Sequence, residues 1–210
     1  MPTMALFLHQ PRCSVQSGNG IIQALHPDFR FKIFARQEIE ADFFDDVDIV
    51  CFPGGIGDSD SFDSVMRHNR KLIMRYLRQG GRYLGICMGA YWADQDYFNI
   101  LSGVRVMQYI RQPGTDTRRP HAKHMPVRWR GNDTHMYFYD GCTFGPGVYH
   151  TVATYQTGWP MAIIQNRVGL IGCHPEANQF WYQDHSWMRR RWQHSQHHLL
   201  RDFAHSLLET

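Results

Sequence analysis

Residues 82–90 read Arg-Tyr-Leu-Gly-Ile-Cys-Met-Gly-Ala, a short apolar run that ends on Cys87, with Gly85 and Gly89 two positions to either side. Arg82–Ile86 reads as a buried strand, and the residues from Met88 onward read as the start of a helix. Small residues two before and two after the centre let the backbone turn sharply and push a single side chain out above a sheet, the nucleophile-elbow pattern. Upstream, Val65, Leu72, Ile73, Tyr76 and Leu77 recur close to helical spacing across Ser64–Gln79, and Gly80-Gly81 stops the run. Before them Asp48–Phe52 is a second apolar run, broken by Pro53-Gly54-Gly55. Strand, helix, strand at this spacing implies a crossover and a parallel sheet, so the class is α/β.

On the N-terminal side, Met4–His9 suits a buried first strand, Ser14–Leu25 a loop that opens a helix, and Phe31–Phe34 a second strand. The acidic run Glu38–Asp48 reads as a solvated connection. From about 99 to 147 the texture changes to short alternating pieces such as Met136–Tyr139 between Gly, Pro and Asn turns, which predicts an antiparallel insert. Ala162–Ile164 and Val168–Cys173 form a final hairpin pattern around Gln165-Asn166-Arg167. A C-terminal amphipathic helix is expected over about 186–208, from Met188, Trp192, Leu199, Phe203 and Leu207. No repeat or long linker divides the chain, so residues 1–210 are expected to form a single domain.

Composition narrows the function classes. The 210 residues carry 22 Lys and Arg against 19 Asp and Glu, and 43% are apolar, which excludes a disordered chain. No apolar stretch approaches the roughly 18 residues of a membrane span, and no basic region precedes a long apolar one at the start, so a cytoplasmic protein is expected. Cys13, Cys51, Cys87, Cys142 and Cys173 are odd in number and widely spread, without a CxxC pair, which argues against a disulfide framework or a thiolate zinc site. His121 and His124 flank Lys123 between Pro120 and Pro126, where no helix would align them as ligands, so no metal and no cofactor is expected. Arg105–Arg130 holds seven basic residues against Asp116 alone, a surface that could meet an anionic substrate, an acidic partner or a nucleic acid, or could simply be solvated.

A cysteine on an elbow needs a base. His174 follows the apolar run Val168–Cys173, at the carboxyl end of a strand, where open α/β sheets place their sites. Pro175 favours an extended His174, which puts His174 and Glu176 on one side of the chain, so that Glu176 can orient the imidazole. A helix starting at Met88 would favour the Cys87 thiolate through its dipole. Gly55, with Gly54 beside it, and Met88 could offer backbone N–H groups to an oxyanion.

These motifs, in this order, resemble the class I glutamine amidotransferase-like superfamily. Within it, SVQSGNGIIQAL, FPGGIGDSDSF, LGICMGAYWA, MYFYDGC and GCHPEA are similar to the N-terminal domain group of biotin-protein ligases, across about residues 4–180. The resemblance implies a flavodoxin-like three-layer sandwich with a mostly parallel sheet. It also implies a Cys87–His174–Glu176 triad acting on a small-molecule or peptide amide through a thioester. Where glutaminases of the superfamily carry Gln, this chain has Tyr91, a candidate substrate contact together with Gly54. The resemblance further implies a synthetase partner in trans, while nucleic acid and membrane are not expected as partners and the oligomeric state is open. A catalytically silent binding module on the same scaffold is the alternative that Tyr91 supports.

Overall fold

The computed structural model describes residues 1–8, 14–55 and 61–210. Thr3–Phe7 (β1), Arg30–Phe34 (β2), Ile49–Phe52 (β3) and Arg82–Ile86 (β4) pair in parallel, and Val168–Ile171 (β11) adds a fifth parallel strand beside β4. The alternation within each strand sorts side chains to two faces. Met4, Leu6, Ile49, Cys51, Leu84 and Ile86 point into one core, and Ala5, Phe7, Val50, Phe52 and Tyr83 into the other. Because both faces are covered, these strands are apolar throughout rather than half polar.

Helices Val15–Leu25 (α1) and Ser195–Leu208 (α6) pack together on the first face. Phe62–Met66 (α2), Arg70–Arg78 (α3) and Met88–Tyr91 (α4) supply the second. The helical reading of Ser64–Gln79 is thus interrupted. Asn69, fully buried, donates its amide to the Ala35 and Gln37 carbonyls and accepts from the Ile39 N–H, so it ties down the 35–39 connection at the break.

The antiparallel part is larger than a separate insert. Lys123–Trp129 (β6) and Asn132–Phe138 (β7) form a hairpin that continues the main sheet through His150–Tyr155 (β9) and Pro160–Gln165 (β10), giving the order β2-β1-β3-β4-β11-β10-β9-β6-β7. Val106–Gln108 (β5) and Cys142–Phe144 (β8) make a second, two-stranded sheet. The final hairpin turns on Asn166-Arg167, with Asn166 at φ 52°, since Gln165 and Val168 already pair.

The C-terminal helix starts later than its periodicity suggests. Gln179–Gln183 (α5) is followed by turns through residues 184–194, and α6 begins at Ser195. Met188 and Trp192 serve a separate aromatic cluster with Tyr137, Trp181 and Tyr182, and the Trp192 indole donates to the Ala177 carbonyl at 2.9 Å. Their four-residue spacing imitates a helix without forming one. Among the described residues, no helix is long and apolar enough to cross a membrane.

Candidate active site

Strand β4 delivers Cys87 to the sheet's carboxyl edge, and Cys87 itself takes the backbone stress of the turn, with φ 50° and ψ −104°. The flanking glycines answer a different need. A Cβ on Gly85 would stand 2.4 Å from the Gly89 carbonyl oxygen, and one on Gly89 would stand 2.0 Å from that of Phe52. They let the elbow close against β3, while the cysteine carries the left-handed conformation. Cys87 is 8% exposed, and its Sγ lies 3.6 Å from the Tyr139 carbonyl oxygen. Helix α4 spans only four residues, so its dipole is short and the charge support for a thiolate must come mainly from elsewhere.

A histidine stands beyond β11. The His174 N–H donates to the Tyr137 carbonyl at 2.8 Å, which fixes the backbone, and the ring is 5% exposed. His174 Nδ1 lies 2.9 Å from Glu176 Oε1, which leaves the other ring nitrogen for Cys87. Burial works against a charged imidazole here. The charges of Cys87 and then Glu176, with hydrogen bonding to both, outweigh it and hold the His174 pKa raised, at about 10. The proton is therefore kept on the ring, between the cysteine sulfur and a carboxylate.

Glu176 is 0% exposed and is held from the opposite side by α1. Ser17 Oγ donates to Glu176 Oε1 at 2.6 Å and accepts the Gly54 N–H at 3.1 Å. A Cβ on Gly20 would fall 2.2 Å from the Glu176 carbonyl oxygen, so this helix rests directly on the Glu176 backbone. Ser14 caps the helix, with its Oγ accepting from Ser17 N at 3.3 Å, and its own N–H donates to the Gly54 carbonyl. Ser17 and Gly20 are the site residues that sequence reasoning missed. The short-polar texture of SVQSGNG was their only signal, and it reads equally well as a loop. A Ser17→Ala variant is expected to lose about 2 kcal/mol in urea unfolding, because it removes a hydrogen bond to a buried carboxylate and orphans the Gly54 N–H; an unchanged midpoint would deny Ser17 that role.

The remaining candidates separate. Gly54 lies against the imidazole, where a Cβ would be 2.7 Å from His174 Cε1, and its N–H is already engaged by Ser17, so it gives the ring room rather than a free donor. Gly55 follows, half-buried, as the last described residue before 61. Met88 opens α4 with its N–H unpartnered among the described residues. Tyr91 sits three residues along α4, largely buried, with its hydroxyl 3.5 Å from the Asp140 carbonyl oxygen; burial pushes its phenol pKa well up and keeps it neutral. His121 is exposed, while His124 stacks on His135 with ring centroids 4.4 Å apart. Burial, then His135 and Arg191, lower the His124 pKa to about 4. Among the described residues no group of three His, Cys, Asp or Glu side chains is arranged to hold a metal ion. Cys13 lies outside the described residues; Cys51, Cys142 and Cys173 are free and buried in the core.

Residues 43–101 match the family described as biotin-protein ligase, N terminal. No curated protein sequence matches the chain. Solved structures resemble it over nearly its whole length at low identity. A glutamine amidotransferase from Thermotoga maritima superposes with a TM-score of 0.68 at 14% identity, covering 100% of this chain and 99% of that one. A putative GMP synthase component from Thermoplasma acidophilum gives 0.60 at 13%, covering 100% and 94%. A glutamine amidotransferase from Methylobacillus flagellatus gives 0.59 at 13%, covering 99% and 92%. Residues 43–101, which run from before β3 through the Cys87 elbow, thus match the biotin-protein ligase N-terminal family, within a chain that has the fold of the glutamine amidotransferases.

Proposed function

We propose that the protein is a cysteine hydrolase of the amidotransferase type, cleaving a carboxamide or peptide-type amide. The observation that carries this reading is a cysteine held at φ 50° on a strand-to-helix elbow, with a buried His174–Glu176 pair against it. With the imidazole protonated, Cys87 Sγ attacks the amide carbonyl carbon, and the carbonyl electron pair moves onto oxygen, where the Met88 and Gly55 N–H groups receive it. As the carbon–nitrogen bond breaks, His174 gives its proton to the departing nitrogen, and ammonia or an amine leaves. His174 then takes a proton from water, whose hydroxide attacks the thioester and frees the acid and the thiol. Glu176 keeps Nδ1 protonated throughout. Ammonia made in this way would pass to a synthetase in trans, a reading supported by the likeness to the putative GMP synthase component.

Alkylation tests the thiol directly. An ordinary cysteine with a pKa near 8.5 reacts roughly 75-fold more slowly with iodoacetamide at pH 6 than at pH 8, because the thiolate fraction falls by that factor. In the proposed reading His174, with its pKa raised to about 10 despite burial, supplies the cation beside the sulfur that favours the thiolate. The expected outcome is that Cys87 is alkylated at pH 6 faster than a free cysteine peptide, and that His174→Ala removes the excess. A wild-type Cys87 no faster than the free peptide at pH 6 would mark the protein as a silent binding module instead.

A further inference from the structure

Three chain segments close around the elbow, and each brings unpaired cations. Asp140 N–H donates to the Pro120 carbonyl, one residue beyond the Tyr139 carbonyl that touches Cys87 Sγ, so Arg118, Arg119 and Lys123 run alongside the cysteine's neighbour. On the other side, Gln108 Nε2 donates to Asp140 Oδ1 at 2.6 Å and Tyr109 N–H to the Gly141 carbonyl, which brings Arg111 to the Tyr91 side of the mouth. The third segment starts at Trp181, 5.3 Å from the His174 ring between centroids, and runs through Met188 to Arg189-Arg190-Arg191, with the Arg191 backbone against His124. Arg111, Arg118, Arg119, Arg189, Arg190 and Arg191 are exposed, Lys123 is half-buried, and none of the seven makes an ion pair among the described residues. The described carboxylates on the same segments are Asp116, Asp140 and Asp184. Asp116 accepts from the Tyr109 hydroxyl and Asp140 from Gln108, neutral donors that leave both charged, so seven cations face three carboxylates and the rim keeps a positive surplus.

We infer that the amide this site acts on carries a negative charge close to its carbonyl, and that the cationic rim selects it. The inference rests on the reading of Cys87 as a reactive thiol. A rim with this surplus raises the local concentration of a small anion and repels cations, an effect that salt screens. Repulsion among the rim's own groups is visible at Lys123, where burial and then the Arg119 charge lower the ammonium pKa. A carboxylate or phosphate on the substrate would relieve that repulsion.

Iodoacetate and iodoacetamide differ in charge and share the same alkylating carbon, so their relative rates on Cys87, read by mass spectrometry of its peptide, report the field at the sulfur. The ratio of iodoacetate to iodoacetamide rates in low-salt buffer should exceed that of a free cysteine peptide. It should fall about eight-fold in the triple variant Arg111→Gln, Arg119→Gln, Arg190→Gln, at the roughly two-fold per charge expected for a charge acting through water from about 10 Å. The control Arg67→Gln, Lys71→Gln, Arg78→Gln, which neutralises three exposed cations on the α2–α3 side, should leave the ratio alone. Raising salt to about 0.5 M should bring wild type toward the rim variant. A ratio unmoved by the rim substitutions and by salt overturns the anionic substrate. It does so whether or not Cys87 is unusually reactive, since the reactivity of the thiol is read separately, from iodoacetamide at pH 6 and from the turnover of Cys87→Ala.

Discussion

Cys87→Ala is expected to lower ammonia or amine release from any amide the wild type cleaves by about 10⁴-fold or more, while leaving the urea unfolding midpoint close to wild type. Removing the nucleophile of a covalent mechanism takes away the thioester route entirely, and what survives is the modest benefit of binding and of the oxyanion donors. The fold should tolerate the change. The stress at this position lies in the backbone, at φ 50°, and alanine bears it no worse than cysteine. Cys87 and His174 are buried, but Tyr139, whose carbonyl touches the sulfur, is exposed, so the loss of one sulfur atom lies close to the surface. His174→Ala should fall nearly as far, and the double variant little further, because nucleophile and base act as one unit. Turnover retained in Cys87→Ala would remove the cysteine from the chemistry and with it the whole hydrolase reading. Loss of turnover with a large drop in the unfolding midpoint would instead trace the effect to the fold.

How much of this was legible beforehand depends on the range of the interaction. Strands β1, β3, β4 and β11 show in the sequence because their burial on both faces writes apolar runs, and the elbow shows because close backbone approach at Gly85 and Gly89 admits no side chain. His174 and Glu176 could be paired with each other because they lie two residues apart. Their support could not be read. Ser17 meets Glu176 across 159 residues, and nothing local distinguishes a serine that grips a carboxylate from one in a loop. The same limit explains the C-terminal region, where Met188 and Trp192 repeat at helical spacing yet pack into an aromatic cluster between turns. It also explains the antiparallel strands. Alternation revealed β7 as a strand, but only the non-local pairing of β6 with β9 attaches that hairpin to the main sheet.

Gly20→Ala should destabilise the protein by about 3 kcal/mol, lowering the thermal midpoint by roughly 6–12 °C at this chain length. The direction is unusual for a helix interior, where alanine in place of glycine ordinarily gains about 1 kcal/mol from propensity. Here the new Cβ would meet the Glu176 carbonyl oxygen at 2.2 Å, and that oxygen is main chain, next to a residue pinned by Ser17 and by His174, so it has little freedom to retreat. Helix α1 must shift instead, in an interior packed too tightly to absorb the movement. Gly18→Ala makes the internal comparison, since its Cβ also meets an atom at 2.2 Å, but that atom is the Leu8 Cδ2 methyl at the end of a side chain that can rotate away. The expected order is therefore Gly20→Ala well below Gly18→Ala in stability. Because Ser17 rides on the same helix, Gly20→Ala should also slow the alkylation of Cys87 at pH 6, whereas Gly18→Ala should slow it less. Equal stability of the two variants, or a Gly20→Ala protein as stable as wild type, would mean that α1 does not set the position of the Glu176 carboxylate, and the support for His174 would have to be sought within the 174–177 turn alone.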